Sequence, residues 1–311
     1  MKQIITTLFC FILTSSKLFS QSEISTVDIR NFWNAYNLLE TARTKADSVL
    51  IFQTEYFNKA TQANKKFIKL RKFTAEEVVN VIQRYPLYFS SIKDNSNKID
   101  SQVEEINKYL SKLAEILPGF SPPKICFAFG CLRTGGTVSK NTILVGTEMI
   151  TADSTSIFDE LSPWLKSVVS KTGDITPLII HEAVHTYQKN KYTKDLPSTI
   201  IKEGFAEFVT CNLLMLDNNP VLHSYGNKNE CSLWKSFISD FKNGITDYSD
   251  WVYGGSTDEN RPADLGYYIG LKIIEEYYLN STDKSEALEY LSDCDNYGLI
   301  FKSSKYNGNC K

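Results

Sequence analysis

Histidine is scarce in this 311-residue chain, at three copies. No Cys-x-x-Cys pair occurs, which excludes the usual all-thiolate zinc fingers and ribbons. No apolar run reaches the roughly 20 residues that a membrane-crossing helix needs, and the longest N-terminal stretch, Ile4 to Leu13, falls well short. An internal repeat, a low-complexity segment and a Pro/Gly/Ser-rich linker are all missing, so neither a solenoid nor a string of independent domains is expected. A large excess of one charge sign is missing too: Lys2 and Lys17 fall in the first twenty residues, and the remainder carries 32 basic against 36 acidic side chains, a net −4. A mildly acidic chain has no general attraction for nucleic acid or anionic lipid.

What is present is an ordinary globular composition, 42% hydrophobic and 13% aromatic, enough for a sizeable core. Residues 1–20 have a basic start, a short apolar stretch and a small residue, Ser20, before a cut, the pattern of a secretory signal peptide. Cys10 lies inside the apolar stretch without the small residues of a lipobox, so a released, secreted or periplasmic protein without stable membrane insertion is expected. Six cysteines then remain, and an even count in an exported chain favours disulfides. Sequence does not choose among their pairings; closeness in the chain suggests Cys126 with Cys131, Cys211 with Cys231, and Cys294 with Cys310.

Apolar residues recur at helical spacing from Val27 to about Ile116, as in Ile29, Phe32, Trp33, Tyr36 and Leu39. Thr74-Ala75-Glu76-Glu77 reads as a capping box, Pro86 ends that helix, and a long helix is expected from Pro86 to about Pro118. The run Lys65, Lys66, Lys69, Arg71, Lys72 reads as a solvated basic face. Ile125 to Phe129 and Thr142 to Val145 are β-prone. A helix is predicted from Thr176, with Pro177 in its first turn, to Gln188, another from Ile200 to Leu216, and a third from Asp264 to Leu279 with Gly266 and Gly270 one turn apart for close packing. Between Pro220 and Pro262, turn and aromatic residues dominate, and His223 reads as a surface residue of a loop. The expected organisation is a signal peptide (1–20), a helical N-terminal region (21–122) and a core (123–311), forming one compact α+β unit.

His181-Glu182-Ala183-Val184-His185 carries the chemistry. Positions i and i+4 share a helix face, so His181 and His185 can direct two imidazoles at one ion. Glu203 follows after a segment long enough for a turn and a returning helix, and completes a three-ligand set for one zinc ion per chain, with Glu207 one turn further to support a ligand imidazole. Glu182 stands where a carboxylate could take a proton from metal-bound water.

This segment, with Lys202-Glu203-Gly204-Phe205-Ala206-Glu207, resembles the gluzincin branch of the zincin metallopeptidases. A wider resemblance, through Phe32-Trp33-Asn34-Ala35-Tyr36, Tyr85 to Ile92, Gly135-Gly136-Thr137 and Gly266 to Gly270, is to predicted secreted bacterial zinc-dependent proteases of that clan. It implies a zincin-like catalytic core and hydrolysis of a peptide or protein substrate with Glu182 as general base. Gly135 and Gly136 would then precede the edge strand of the cleft, although a plain hairpin turn explains two glycines equally. Tyr267 is the expected oxyanion donor, with Tyr268 next, and Arg261 would bind a substrate carboxylate. The alternative is a non-catalytic zinc-binding envelope, adhesion or motility module on such a fold, and a third reading is hydrolysis of a non-peptide amide.

Overall fold

The β-prone runs after Pro123 pair with each other, and the sheet they form takes a further strand from the far end of the chain. The computed structural model describes residues 22–191, 195–253 and 261–310. The expected signal peptide, 1–20, lies outside the described residues. Strands β1 (Ile24–Ser25), β2 (Lys124–Ala128), β3 (Gly136–Val138) and β4 (Thr142–Gly146) lie in the order β1-β2-β4-β3. β1 and β4 run parallel to β2, and β3 runs antiparallel to β4 at the edge. In β2 and β4 consecutive residues are buried, without alternation, as in strands covered on both faces.

The N-terminal region is helical as expected: α1 (Val27–Leu38), α2 (Lys45–Phe52), α3 (Gln62–Arg71), α4 (Ala75–Arg84), α5 (Pro86–Ser91), α6 (Lys93–Asn97) and α7 (Val103–Ile116). The capping box opens α4: Thr74 Oγ1 accepts from Glu77 N at 3.2 Å, and Glu77 Oε2 accepts from Thr74 N at 2.9 Å. The single long helix after Pro86 is instead three helices with a 3₁₀ turn at Ile99–Gln102. Lys93-Asp94-Asn95-Ser96-Asn97 supplies the reason, because short polar side chains compete for backbone hydrogen bonds and weaken a helix interior. The basic run is less solvated than expected: Arg71 Nη2 donates to Thr134 Oγ1 at 3.1 Å and Lys66 Nζ to Ser139 O at 3.2 Å, tying α3 to the β3 hairpin.

An aromatic cluster joins these helices to the sheet. Phe32 stacks on Phe129 with ring centroids 3.8 Å apart, and Phe52, Tyr56 and Phe89 surround it. Tyr56 fixes the end of β2, its hydroxyl donating to Phe129 O at 2.6 Å and accepting from Phe129 N at 2.8 Å.

The second half contains α8 (Thr147–Ile150), α9 (Pro163–Val168), α10 (Thr176–Tyr187), α11 (Leu196–Glu207), α12 (Pro220–Lys242), α13 (Leu265–Asn280), α14 (Lys284–Leu291) and α15 (Tyr297–Ser303). α10 packs against β3, β4, α7 and α11. α11 and α13 cross at backbone contact: a Cβ on Gly270 would lie 1.8 Å from Ile200 O, and one on Gly204 would lie 2.0 Å from Gly270 C. The close packing expected of these glycines is therefore present.

Two expectations fail here. The stretch from Pro220 is helical over 23 residues, α12, kinked at Asn229, with Asn219 Oδ1 accepting from Leu222 N at 3.2 Å and Pro220 in the first turn; its weak periodicity and internal Gly226 hid it. The disulfide is Cys231–Cys310, 79 residues apart in sequence, while Cys126, Cys131, Cys211 and Cys294 are free thiols. Closeness in the chain misled because the fold returns the C-terminus to α12, where Tyr306 and Asn309 both donate to Glu230. In coarse terms the architecture is as expected, mainly helical α+β with a small sheet.

Candidate metal centre

α10 starts where Asp174 Oδ1 accepts from Thr176 N at 2.9 Å and Pro177 occupies the first turn, so its histidines fall in the last two turns. α11 starts where Asp195 caps Ser198 N at 2.7 Å, and its last two turns carry Glu203 and Glu207. All four side chains are buried. His185 Nε2 lies 3.1 Å from His181 Nε2 and 2.9 Å from Glu203 Oε2, and His181 Nε2 lies 3.5 Å from Glu203 Oε2. Nitrogen and oxygen ligands at about 2.0–2.1 Å from a tetrahedral zinc stand roughly 3.3 Å apart, so this donor set fits such an ion.

The far sides of these groups are held as well. His185 Nδ1 lies 2.7 Å from Gln188 Oε1, and Gln188 Nε2 donates to Lys202 O at 2.8 Å and to Tyr297 OH at 2.9 Å. With its amide thus oriented, Gln188 presents an acceptor, which places the proton on Nδ1 and leaves the Nε2 lone pair available to an ion shared with Glu203. His181 Nδ1 faces Glu207 Oε1 at 3.4 Å without hydrogen-bond alignment. Glu203 Oε1, turned away from the histidines, receives Lys202 Nζ at 3.2 Å and Tyr253 OH at 2.9 Å.

The electrostatics call for a cation among these groups. Burial pushes the His181 pKa down, but Glu203 and Glu207 outweigh it and raise it to about 10. Burial pushes Glu203 up, and His185, His181 and Lys202 more than reverse this, holding it well below the usual carboxylate range. Two acids this deeply buried need positive charge beside them, as a proton or as a metal ion.

Glu182 lies against the edge strand: a Cβ on Gly136 would stand 2.6 Å from Glu182 Oε1. Gly135 O accepts from Gly146 N at 3.0 Å at the start of the hairpin. Tyr267 stacks on the His181 ring, with centroids 6.0 Å apart and planes 16° apart. Tyr268 instead donates to Asn227 Oδ1 on α12 at 3.0 Å. The Arg261 guanidinium sits 5.4 Å from the Trp251 ring centroid. His223 is in the first turn of α12, not in a loop, and its Nε2 points toward Glu207 Oε2 at 3.6 Å. Gln188 and Tyr253 were missed; neither lies in a motif, and both reach the site through tertiary contacts.

Residues 17–308 match a family model described as "Gliding motility protein GldB", whose label marks a lipoprotein family. The chain belongs to the GldB family. No curated protein and no solved structure matches the chain significantly. The match overturns the expected identity as a gluzincin metallopeptidase, with its enzyme activity and hydrolase character: the family is one of motility proteins. The physical reason for the error is that His-Glu-x-x-His with a downstream glutamate specifies where donor atoms meet, which is a statement about ligation and not about turnover. Among the described residues of this GldB-family chain, no helix is long and apolar enough to cross a membrane.

Proposed function

We propose that this GldB-family protein is a non-catalytic, zinc-binding component of the gliding machinery, with the ion held by His181, His185 and Glu203. The observation that carries the reading is the convergence of the three donors, with Gln188 hydrogen-bonded behind His185, Lys202 and Tyr253 behind Glu203, and Glu207 facing the outer nitrogen of His181. When bound, the ion supplies a cross-link between α10 and α11 and neutralises Glu203. The protein's own residues do the rest: Gln188 selects the His185 tautomer, and Lys202 leaves one Glu203 oxygen free to ligate.

The test joins elemental analysis of the purified mature chain with gliding of cells that carry the variants. Zinc is expected in the wild type, with one ion per chain fewer in His185→Ala and Glu203→Ala, both of which stop gliding. Glu182→Gln keeps zinc and keeps gliding; if it kept zinc and stopped gliding, the non-catalytic reading would be overturned. The family label also extends the reading to an envelope-anchored protein, against the released form expected from the leader. Palmitate labelling that is lost in Cys10→Ser supports the anchor, and an unlabelled protein in the culture supernatant removes it.

A further inference from the structure

Glu207 has a second oxygen, and it faces away from His181. Oε2 lies 3.2 Å from Cys211 Sγ and 3.6 Å from His223 Nε2, and the three donor atoms all lie within 4.8 Å of one another. Cys211 comes from the π-helical segment Phe208–Leu213 that continues α11, and His223 from the first turn of α12. Asp217 Oδ1 holds His223 Nδ1 at 2.7 Å, as carboxylates commonly hold the outer nitrogen of a ligating imidazole. His223 Nε2 is buried and has no hydrogen-bond partner. Cys211 and His223 also line a cavity of about 360 Å³, together with Asn227, Tyr268 and Glu275.

We propose that Glu207, Cys211 and His223 form a second metal site, for a thiophilic divalent transition ion of the zinc type, with its fourth position open to this cavity. Bonds of about 2.0–2.3 Å to oxygen, nitrogen and sulfur at a tetrahedral angle separate such ligands by roughly 3.3–3.6 Å, close to the 3.2 Å and 3.6 Å found from Glu207 Oε2 to Cys211 Sγ and His223 Nε2. One thiolate, one carboxylate and one neutral imidazole balance a divalent ion, so the loaded site is electrically neutral, as its depth favours. As the sulfur–metal bond forms, the thiol proton leaves to solvent. Glu207 then serves both sites, Oε2 ligating here while Oε1 faces His181. The competing arrangement is a polar network without metal, with the Cys211 thiol donating to Glu207 and a charged His223 lying between Glu207 and Asp217.

Cobalt(II) separates the two arrangements, because the cluster of His181, His185 and Glu203 contains no sulfur and cannot give a thiolate-to-cobalt charge-transfer band. Titration of the mature chain is expected to give that near-ultraviolet band together with visible ligand-field bands. Cys211→Ser is expected to abolish the first and keep the second, and His223→Gln to weaken binding at this site at least about tenfold. No charge-transfer band in the wild type, or a band unchanged in Cys211→Ser, overturns the proposal. Should Cys211→Ser fail to fold, His223→Gln decides: an unchanged band overturns the proposal and a lost or weakened band supports it. Failure of the first cluster would show separately, as loss of the ligand-field bands in Cys211→Ser.

Discussion

Around Phe32 the interior is a set of rings: Phe129 stacked at 3.8 Å, with Trp33, Phe52 and Tyr56 edge-on at 5.0–5.6 Å. Around His181, at similar burial, the neighbours are Glu203, Glu207, His185 and Tyr267, joined by ion-pair and ring contacts at 2.9–6.0 Å. The first interior is stabilised by the removal of apolar surface from water and by ring packing, which require no particular charge state. The second encloses two carboxylates that are stable there only while a cation compensates them. The helix-building rules are the same in both halves; what differs is that the second interior depends on a positive charge beside its acids, as a proton or as the proposed ion.

The comparison is tested most strongly by cutting into the aromatic half. Phe32→Ala is expected to cost about 3–5 kcal/mol in denaturant unfolding, the usual result for a fully buried phenylalanine, while zinc affinity stays unchanged. Coupling of the two would show that the halves are not independent.

Glu148 is the exception within the aromatic half, and it sharpens the contrast. Burial raises its carboxyl to about 7, opposed in part by the backbone N–H groups of Gly130 and Leu132 that donate to it. The native state therefore holds this proton between the ordinary carboxylate pKa and about 7, where the unfolded chain has released it. The stability that it contributes is fully present below the unfolded value and is lost as pH rises through about 7. The window is worth about 3 kcal/mol at roughly 1.4 kcal/mol per unit. Urea denaturation across that range should show the decline in the wild type and a flatter profile in Glu148→Gln; equal slopes would refute the assignment.

A smaller effect is expected behind the ligands. Gln188→Ala removes the acceptor that orients His185 and should weaken zinc binding by about 10–100-fold without changing the ligand count. Competition with a chromophoric chelator measures this, and an unchanged affinity would leave Gln188 a packing residue.

Much of the scaffold was legible from local signals. Pro177 and the His181/His185 spacing placed α10, Thr74 with Glu77 placed the start of α4, and Gly266 with Gly270 marked the α11–α13 crossing. What escaped was set by contacts distant in sequence. β1 is two residues long and exists because it pairs with Ile125 and Cys126, about a hundred positions away. Tyr253 reaches Glu203 across fifty residues, and His223 reaches Glu207 because α12 folds back on the end of α11. No periodicity encodes such meetings. The peptidase expectation failed for a different reason: the pattern around His181 describes donor geometry, and what a cell does with a metal site is not written in that geometry.

The central claim, that His181, His185 and Glu203 hold zinc as a structural cross-link, is tested most directly by thermal unfolding of the mature wild type and of Glu203→Ala with and without a chelator. Zinc at 100 times its dissociation constant stabilises by about 2.7 kcal/mol, so chelation should lower the wild-type midpoint by several degrees and move the Glu203→Ala midpoint much less. Equal responses of the two proteins to the chelator would contradict the account.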